Sequence, residues 1–229
     1  RWRMDGISLV PANAGKAVVI GENAGGIIPN AESNNVSIGQ ETMLSNTTGV
    51  NNIAIGAFAL NENSGANYNV AIGASALRQN QQSALVAIGQ SALYSNTTGL
   101  YNTAVGFESM AFNEEGTGNS AHGYRSLYLN YSGNNNSAFG NHALVNNSTG
   151  SDNSAFGMTA LQNNVSGNYN TAVGTYALLN NNESYNTGLG FASLYYNSTG
   201  TRNTAAGFAS LNYNSTGNDN AAFGYDALR

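Results

Sequence analysis

Residues Asn136-Ser137-Ala138-Phe139-Gly140-Asn141-His142-Ala143-Leu144-Val145-Asn146-Asn147-Ser148-Thr149-Gly150-Ser151-Asp152 run straight into Asn153-Ser154-Ala155-Phe156-Gly157, and that recurrence decides the fold. Outward in both directions, an A-x-G signal places anchor glycines at Gly39, Gly56, Gly73, Gly89, Gly106, Gly123, Gly140, Gly157, Gly174, Gly190, Gly207 and Gly224. Successive spacings are 17, 17, 16, 17, 17, 17, 17, 17, 16, 17 and 17. Twelve anchors with two single-residue deletions are a repeat. A thirteenth, degenerate unit is expected at Val19, Ile20 and Gly21. The consensus is N-T-A-x-G-x-x-A-L-x-x-N-x-T-G-x-x. Seventeen residues cannot hold two packed helices, and the unit has no 3.6-residue apolar period. One turn of an all-β, parallel β-solenoid (a β-roll) fits, with two short strands joined by Asn/Gly turns, in about 13 coils.

Counting from the anchor glycine gives each position a job. Position +4 is Leu or Met in every regular coil: Met43, Leu60, Leu77, Leu93, Met110, Leu127, Leu144, Leu161, Leu178, Leu194, Leu211 and Leu228. One large apolar residue at a fixed phase predicts an interior column. Position −2 is small (Ala54, Ala71, Ala87, Ala104 and Ala121, with Ser37 and Gly188 as substitutes), which predicts close approach inside a thin coil. Position +7 is Asn46, Asn63, Asn80, Asn96, Asn113, Asn130, Asn147, Asn164, Asn181, Asn197 and Asn214. Position −4 is also Asn from Asn35 to Asn220, with Leu85 the one interruption. Asn tolerates left-handed backbone angles, so both columns are expected at corners, with their amides free to bond along the axis. Gly49, Gly99, Gly133, Gly150, Gly200 and Gly217 follow three residues after the +7 Asn, where a second corner is expected to need positive φ.

The strand before the anchor is apolar on both sides. Positions −3 and −1 carry Ile53 and Ile55, Val70 and Ile72, Val86 and Ile88, while the opposite face carries Ala. A strand apolar on both faces is covered on both. The coil interior is one cover, and a neighbouring chain is the expected other. A 17-residue coil is also too thin to bury much surface alone, so an obligate homo-oligomer is predicted.

Composition sets the exclusions. Of 229 residues only 8% are charged, with 7 Lys plus Arg against 12 Asp plus Glu and a net charge of −5. That balance argues against nucleic acid and against a polybasic membrane-surface helix. No window offers the roughly 18 apolar residues of a membrane span. The absence of Cys excludes disulfides and thiolate metal sites. The 28 Gly would suit a disordered coil, but 41% hydrophobic residues do not.

Asn102-Thr103-Ala104-Val105-Gly106 and Asn52-Ile53-Ala54-Ile55-Gly56 resemble the N-S-V-A-I-G head repeats of trimeric autotransporter adhesins. The longer unit, Asn170-Thr171-Ala172-Val173-Gly174 followed by Ala177-Leu178, is similar to repeats of bacterial surface proteins and of phage tail fibres that end in an intramolecular chaperone. Trp2-Arg3-Met4-Asp5-Gly6 and Val19-Ile20-Gly21-Glu22-Asn23-Ala24-Gly25 are similar to segments of such fibres. The resemblance covers about residues 17–229 and departs from the shorter adhesin repeat in its 17-residue period. It implies a trimer of left-handed parallel β-rolls in an extracellular rod, on a cell surface or a virion tail fibre, contacting a host glycan or protein. Threefold symmetry and handedness come from the resemblance alone.

Residues 1–33 break the pattern, contain Pro11 and Pro29 and include Gly25-Gly26-Ile27-Ile28; they are expected to be a lead-in or cap holding the degenerate coil. Residues 34–229 are the regular repeat, and Arg229 stops five residues past Gly224, partway through a coil, so the chain reads as a piece of a longer or processed fibre.

No catalytic, metal or cofactor constellation emerges, and the chain is expected not to be an enzyme. Glu41 and Glu108 share a phase but lie four coils apart, as do Asp152 and Asp219, too far for the paired carboxylates of a polysaccharide-cleaving solenoid. Glu114 and Glu115 suit a solvated turn tip. His122 and His142 fall on different phases and read as packing or surface residues. An ice-binding face would need a continuous Thr array, which position −3 lacks. Aromatic columns at Phe191, Phe208 and Tyr225, and at Phe139 and Phe156, read as inter-coil packing. Tyr195, Tyr196 and Tyr213, with Tyr128 and Tyr131, are the candidate ligand-binding residues, since exposed tyrosines among Asn suit sugar or protein recognition. A passive spacer with binding elsewhere in a longer chain is the alternative. The N-x-[ST] triplets at Asn46, Asn96, Asn147, Asn197 and Asn214 are by-products of the turn consensus.

Overall fold

The computed structural model describes residues 17–26 and 33–229. Trp2 to Gly6, Pro11, Ile27, Ile28 and Pro29, on which part of the lead-in reading rests, lie outside the described residues. Among the described residues there is no helix, and every strand is three residues long.

The chain divides into two compact units, Arg1–Glu115 and Gly116–Arg229. The first holds β1 (Val18–Ile20), β2 (Val36–Ile38), β3 (Ile53–Ile55), β4 (Val70–Ile72), β5 (Val86–Ile88) and β6 (Thr103–Val105). The second holds β7 (Ser120–His122), β8 (Ser137–Phe139), β9 (Ser154–Phe156), β10 (Thr171–Val173), β11 (Thr187–Leu189), β12 (Thr204–Ala206) and β13 (Ala221–Phe223). Within each unit neighbouring strands pair parallel and in sequence order, as in Ile53↔Val70 with Ala54↔Ala71, and Ser137↔Ser154 with Ala138↔Ala155. The register keeps each phase on top of itself, so this is a parallel β-solenoid wound from a 17-residue coil, and the degenerate unit at Val18–Ile20 stacks in register on Val36–Ile38.

Each coil has one strand, not the two expected. The second flank is a chain of turns because positions +2 and +4 sit in the left-handed region, for example Phe58 at φ 61° and Leu60 at φ 50°. Each such residue reverses the direction of its N–H. Phe58 donates back to the Gln40 carbonyl at 2.9 Å, whereas Leu60 donates forward to the Ala76 carbonyl at 3.0 Å. Coils therefore remain hydrogen-bonded along the axis without an extended segment.

The same backbone puts two consecutive residues inside. Ala59 and Leu60, Ala76 and Leu77, and Ala143 and Leu144 are all fully buried, which a period-two strand forbids. A left-handed Leu costs about 1–2 kcal/mol. Burying its side chain contributes about 1.5–3 kcal/mol and outweighs that strain. The strand contributes the other inner wall, with Ala54, Ala71, Ala87, Ala104 and Ala121 fully buried.

The asparagines are inside rather than at left-handed corners. None of the +7 or −4 Asn has positive φ; the third left-handed position is −5, at Asn51, Tyr68, Tyr101, Tyr169 and Tyr185. Asn147 shows why +7 needs an amide. Its Nδ2 donates to Asn130 Oδ1 at 2.8 Å and to the Gly150 carbonyl at 2.8 Å, and its Oδ1 accepts from Asn164 Nδ2 at 2.9 Å. At −4 the amides serve the backbone instead: Asn35 Oδ1 accepts the Asn52 N–H at 2.8 Å while Asn35 Nδ2 donates to the Gly49 carbonyl at 2.8 Å. Since Asn46, Asn96, Asn147 and Asn197 are buried completely, folded coils keep these N-x-[ST] amides from any modifying enzyme.

Glycine appears at two phases for two reasons. The anchors hold φ from 123° to 143°, closed to other residues, and a Cβ on Gly157 would sit 2.6 Å from the Gly174 carbonyl. The +10 glycines do not have positive φ, contrary to expectation; they are excluded from bearing a side chain by crowding. A Cβ on Gly49 would strike Asn46 Oδ1 and lie 2.6 Å from the Ala66 carbonyl.

The two 16-residue coils lose their residue at this corner. Asn181 then folds onto the Glu183 carbonyl at 2.7 Å, and the buried Asn164 Oδ1 is left without a partner. The Asn182 side chain takes over for the missing peptide, its Oδ1 accepting from Val165 N at 2.7 Å and Ser166 N at 2.9 Å.

Candidate functional site

With +3 and +4 turned inward, positions +1, +2, +5 and +6 form the outward surface of the turn flank. In the last four coils, from Gly174 onward, this surface carries seven aromatic rings. Phe191 stacks on Phe208 (5.1 Å, 10°) and Phe208 on Tyr225 (5.0 Å, 7°) along position +1. Tyr196 stacks on Tyr213 (5.3 Å, 10°) along position +6. Tyr176 and Tyr195 tie the columns together: Tyr176 meets Phe191 at 86° and Tyr195 at 65°, and Tyr195 meets Tyr196 at 65° and 4.5 Å.

The structure thus brings Tyr195, Tyr196 and Tyr213 into one cluster and adds Tyr176, Phe191, Phe208 and Tyr225. Tyr128 shares position +5 with Tyr195 but lies four coils earlier, where the Arg125 guanidinium sits 5.2 Å over its ring. Tyr131, at +8, is exposed on the following corner. Sequence reading separates Phe191 from Tyr195 as packing against recognition. The signal joining them is that +1, +2, +5 and +6 are all outward, which depends on the left-handed residues between.

Stacking governs what the cluster offers. Rings piled along the axis cover one another's faces and turn their edges outward, and aromatic edges carry the positive end of the quadrupole. Tyr176 and Tyr195 lie across the stacks, so their faces run alongside the axis. The only charges on these four coils' outward turn positions are Asp226 and Arg229, paired at 3.0 Å. Arg229 lies 5.8 Å over the Tyr213 ring, and contact with Tyr213, then Asp226, raises its affinity for its proton.

Upstream, position +6 continues as amides. Asn146 Nδ2 donates to Asn163 Oδ1 at 3.1 Å, and Asn163 Nδ2 donates to Asn180 Oδ1 at 2.8 Å. One column therefore passes from three amides to two phenols within the second unit.

On the strand side, His122 stacks on Phe139 (4.5 Å, 10°) and Phe139 on Phe156 (5.0 Å, 8°). The buried His122 Nδ1 has no partner. His142 packs edge-on against Tyr124 at 5.1 Å. The −5 corner pairs each residue with its counterpart one coil on: Asn34 with Asn51, Asn135 with Asp152, Tyr169 with Tyr185, and Arg202 with Asp219 through two hydrogen bonds of 2.6 and 2.9 Å. Among the described residues no three His, Asp or Glu side chains gather to hold a metal ion.

Compared with family models, curated proteins and solved structures, the chain shows no match.

Proposed function

We propose that this chain is a non-enzymatic structural segment of an extracellular fibre, an adhesin stalk or head or a phage tail fibre, made of three copies and serving attachment to a host or surface. The observation that carries the reading is the outward strand face of the first unit. Val36, Ile38, Ile53, Ile55, Val70, Ile72, Val86 and Ile88 are exposed or half-buried in two aliphatic columns, although the coil interior behind them is full. Ile53, Ile72 and Ile88 keep 36–38% of their surface in water. Each holds roughly 0.5–1 kcal/mol of burial in reserve, and parallel copies in register offer identical columns to one another. The number three rests on the resemblance to trimeric adhesin repeats. Covered in this way, the segment acts mechanically, holding a recognition surface away from its anchor, and the tyrosine-rich turn flank stays free for attachment.

Sedimentation equilibrium of the full chain tests the reading. A mass three times that of one chain is expected, and a folded monomer at all concentrations overturns it.

A further inference from the structure

We propose that the +6 column of the second unit is a binding strip for a neutral, extended polysaccharide lying along the coil axis; this rests on the attachment reading above and names its ligand. Three observations converge on it. The column is linear and periodic, since Asn146, Asn163, Asn180, Tyr196 and Tyr213 occur once per coil in five consecutive coils. Neighbouring rings repeat at 5.3 Å, the scale of one sugar unit in an extended chain. A polymer of like units is the ligand that repeats with it.

The chemistry is that of sugar hydroxyls. Each amide of the Asn146–Asn163–Asn180 ladder spends one side-chain N–H or one carbonyl lone pair on each neighbour. The second N–H and second lone pair of the half-buried Asn163 remain for a ligand that both donates and accepts. The tyrosine phenols continue that capacity, and the faces of Tyr176 and Tyr195, turned 65–86° from the stacks beside them, lie parallel to a chain running along the axis.

Charge selects the class. In the five coils the outward turn positions carry no Asp, Glu, Lys, Arg or His besides His142, and Asp226 and Arg229 of the following coil pair with each other. A polyanion would need a basic row and a polycation an acidic one. Neither exists on this strip.

The test is calorimetric titration of the full chain with β-1,4-linked glucose, β-1,4-linked N-acetylglucosamine and β-1,3-linked glucose oligomers of increasing length, with oligogalacturonate as the anionic comparator. Affinity for at least one neutral series is expected to climb with length and level off once the oligomer spans the five coils. Tyr213→Ala and Asn163→Leu are each expected to weaken it about tenfold. Tyr185→Ala, on the −5 corner, leaves it unchanged, and thermal melting of each variant confirms that the coils are intact. No neutral series binding at millimolar concentration, affinity independent of length, or preference for oligogalacturonate overturns the strip. Adhesion of the chain to cell surfaces is scored separately: adhesion without oligomer binding removes the polysaccharide and keeps the attachment reading, and absence of adhesion removes the attachment reading itself.

Discussion

The two units share an interior and differ outside. In the first, the outward strand columns are Val36, Ile53, Val70 and Val86 at −3, ending in Thr103, and Ile38, Ile55, Ile72, Ile88 and Val105 at −1. In the second, position −3 continues as Ser120, Ser137, Ser154, Thr171, Thr187 and Thr204 before Ala221, and position −1 becomes the His122–Phe139–Phe156 stack followed by Val173, Leu189, Ala206 and Phe223. The inward Ala and Leu columns and the buried Asn do not change across this boundary. The inside of a coil is constrained by the coils above and below. The outside is free of that constraint, so its chemistry can change while the interior stays constant.

Anchor glycine replacement, the severest test, treats both units alike. Gly73→Ala and Gly157→Ala each force φ near 135° and drive a Cβ into the next anchor's carbonyl. Each is expected to cost more than about 4 kcal/mol, read as loss of soluble folded protein or a collapse of the melting temperature. Unequal losses would show that the interiors are not equivalent.

Charging the outer columns should separate the units. Ile55→Asp with Ile72→Asp buries two unpaired carboxylates if the first unit's face is covered, at about 3–5 kcal/mol each. The expected result is monomeric chain in sedimentation. Ser137→Asp with Ser154→Asp, in the hydroxyl column, should leave more of the assembly intact. Equal effects would erase the distinction between the faces.

The amide core comes next. Asn147→Ala removes three buried hydrogen bonds, to Asn130 Oδ1, to the Gly150 carbonyl and from Asn164 Nδ2, although Asn136 Nδ2 still reaches the Gly150 carbonyl and Asn164 Nδ2 the Gly167 carbonyl. About 3 kcal/mol is expected from chemical denaturation, since each of the three lost bonds contributes about 0.5–1.5 kcal/mol. Inserting Gly between Glu183 and Ser184 restores a 17-residue coil and gives Asn164 Oδ1 a partner, with an expected gain of about 1 kcal/mol.

The smallest effect is the exposed Arg202–Asp219 pair. Hydrogen bonding to Arg202 holds the Asp219 carboxyl below its ordinary range, against a smaller opposing effect of burial. A depressed acid contributes above its unfolded-state range, and that contribution fades as pH falls through the lowered folded value. Arg202→Gln should move the Asp219 titration, followed by carbon-detected NMR, to higher pH with little change in melting.

Much of this was legible in residue spacing. The anchor glycines mark the coil, and the Leu60 to Leu211 column was readable as core because one phase is large and apolar throughout. The buried Asn were visible as columns but not as interior, since Asn prefers turns and its burial is tolerable only when the next coil supplies partners. Phe191 and Tyr195 were visible as separate columns. Their union into one surface depends on how the backbone turns between them.

A strict 17-residue period, by itself, determined that like residues stack on like, that the chain winds once per unit, and that Ala and Leu line the axis. Any other winding would scatter those columns. Only the tertiary structure decided that Leu adopts a left-handed angle, that one flank is turns rather than strand, and that two neighbours in sequence both face inward. A left-handed leucine is unfavourable alone, and it becomes the preferred state only when the coils on either side accept its N–H and close over its side chain.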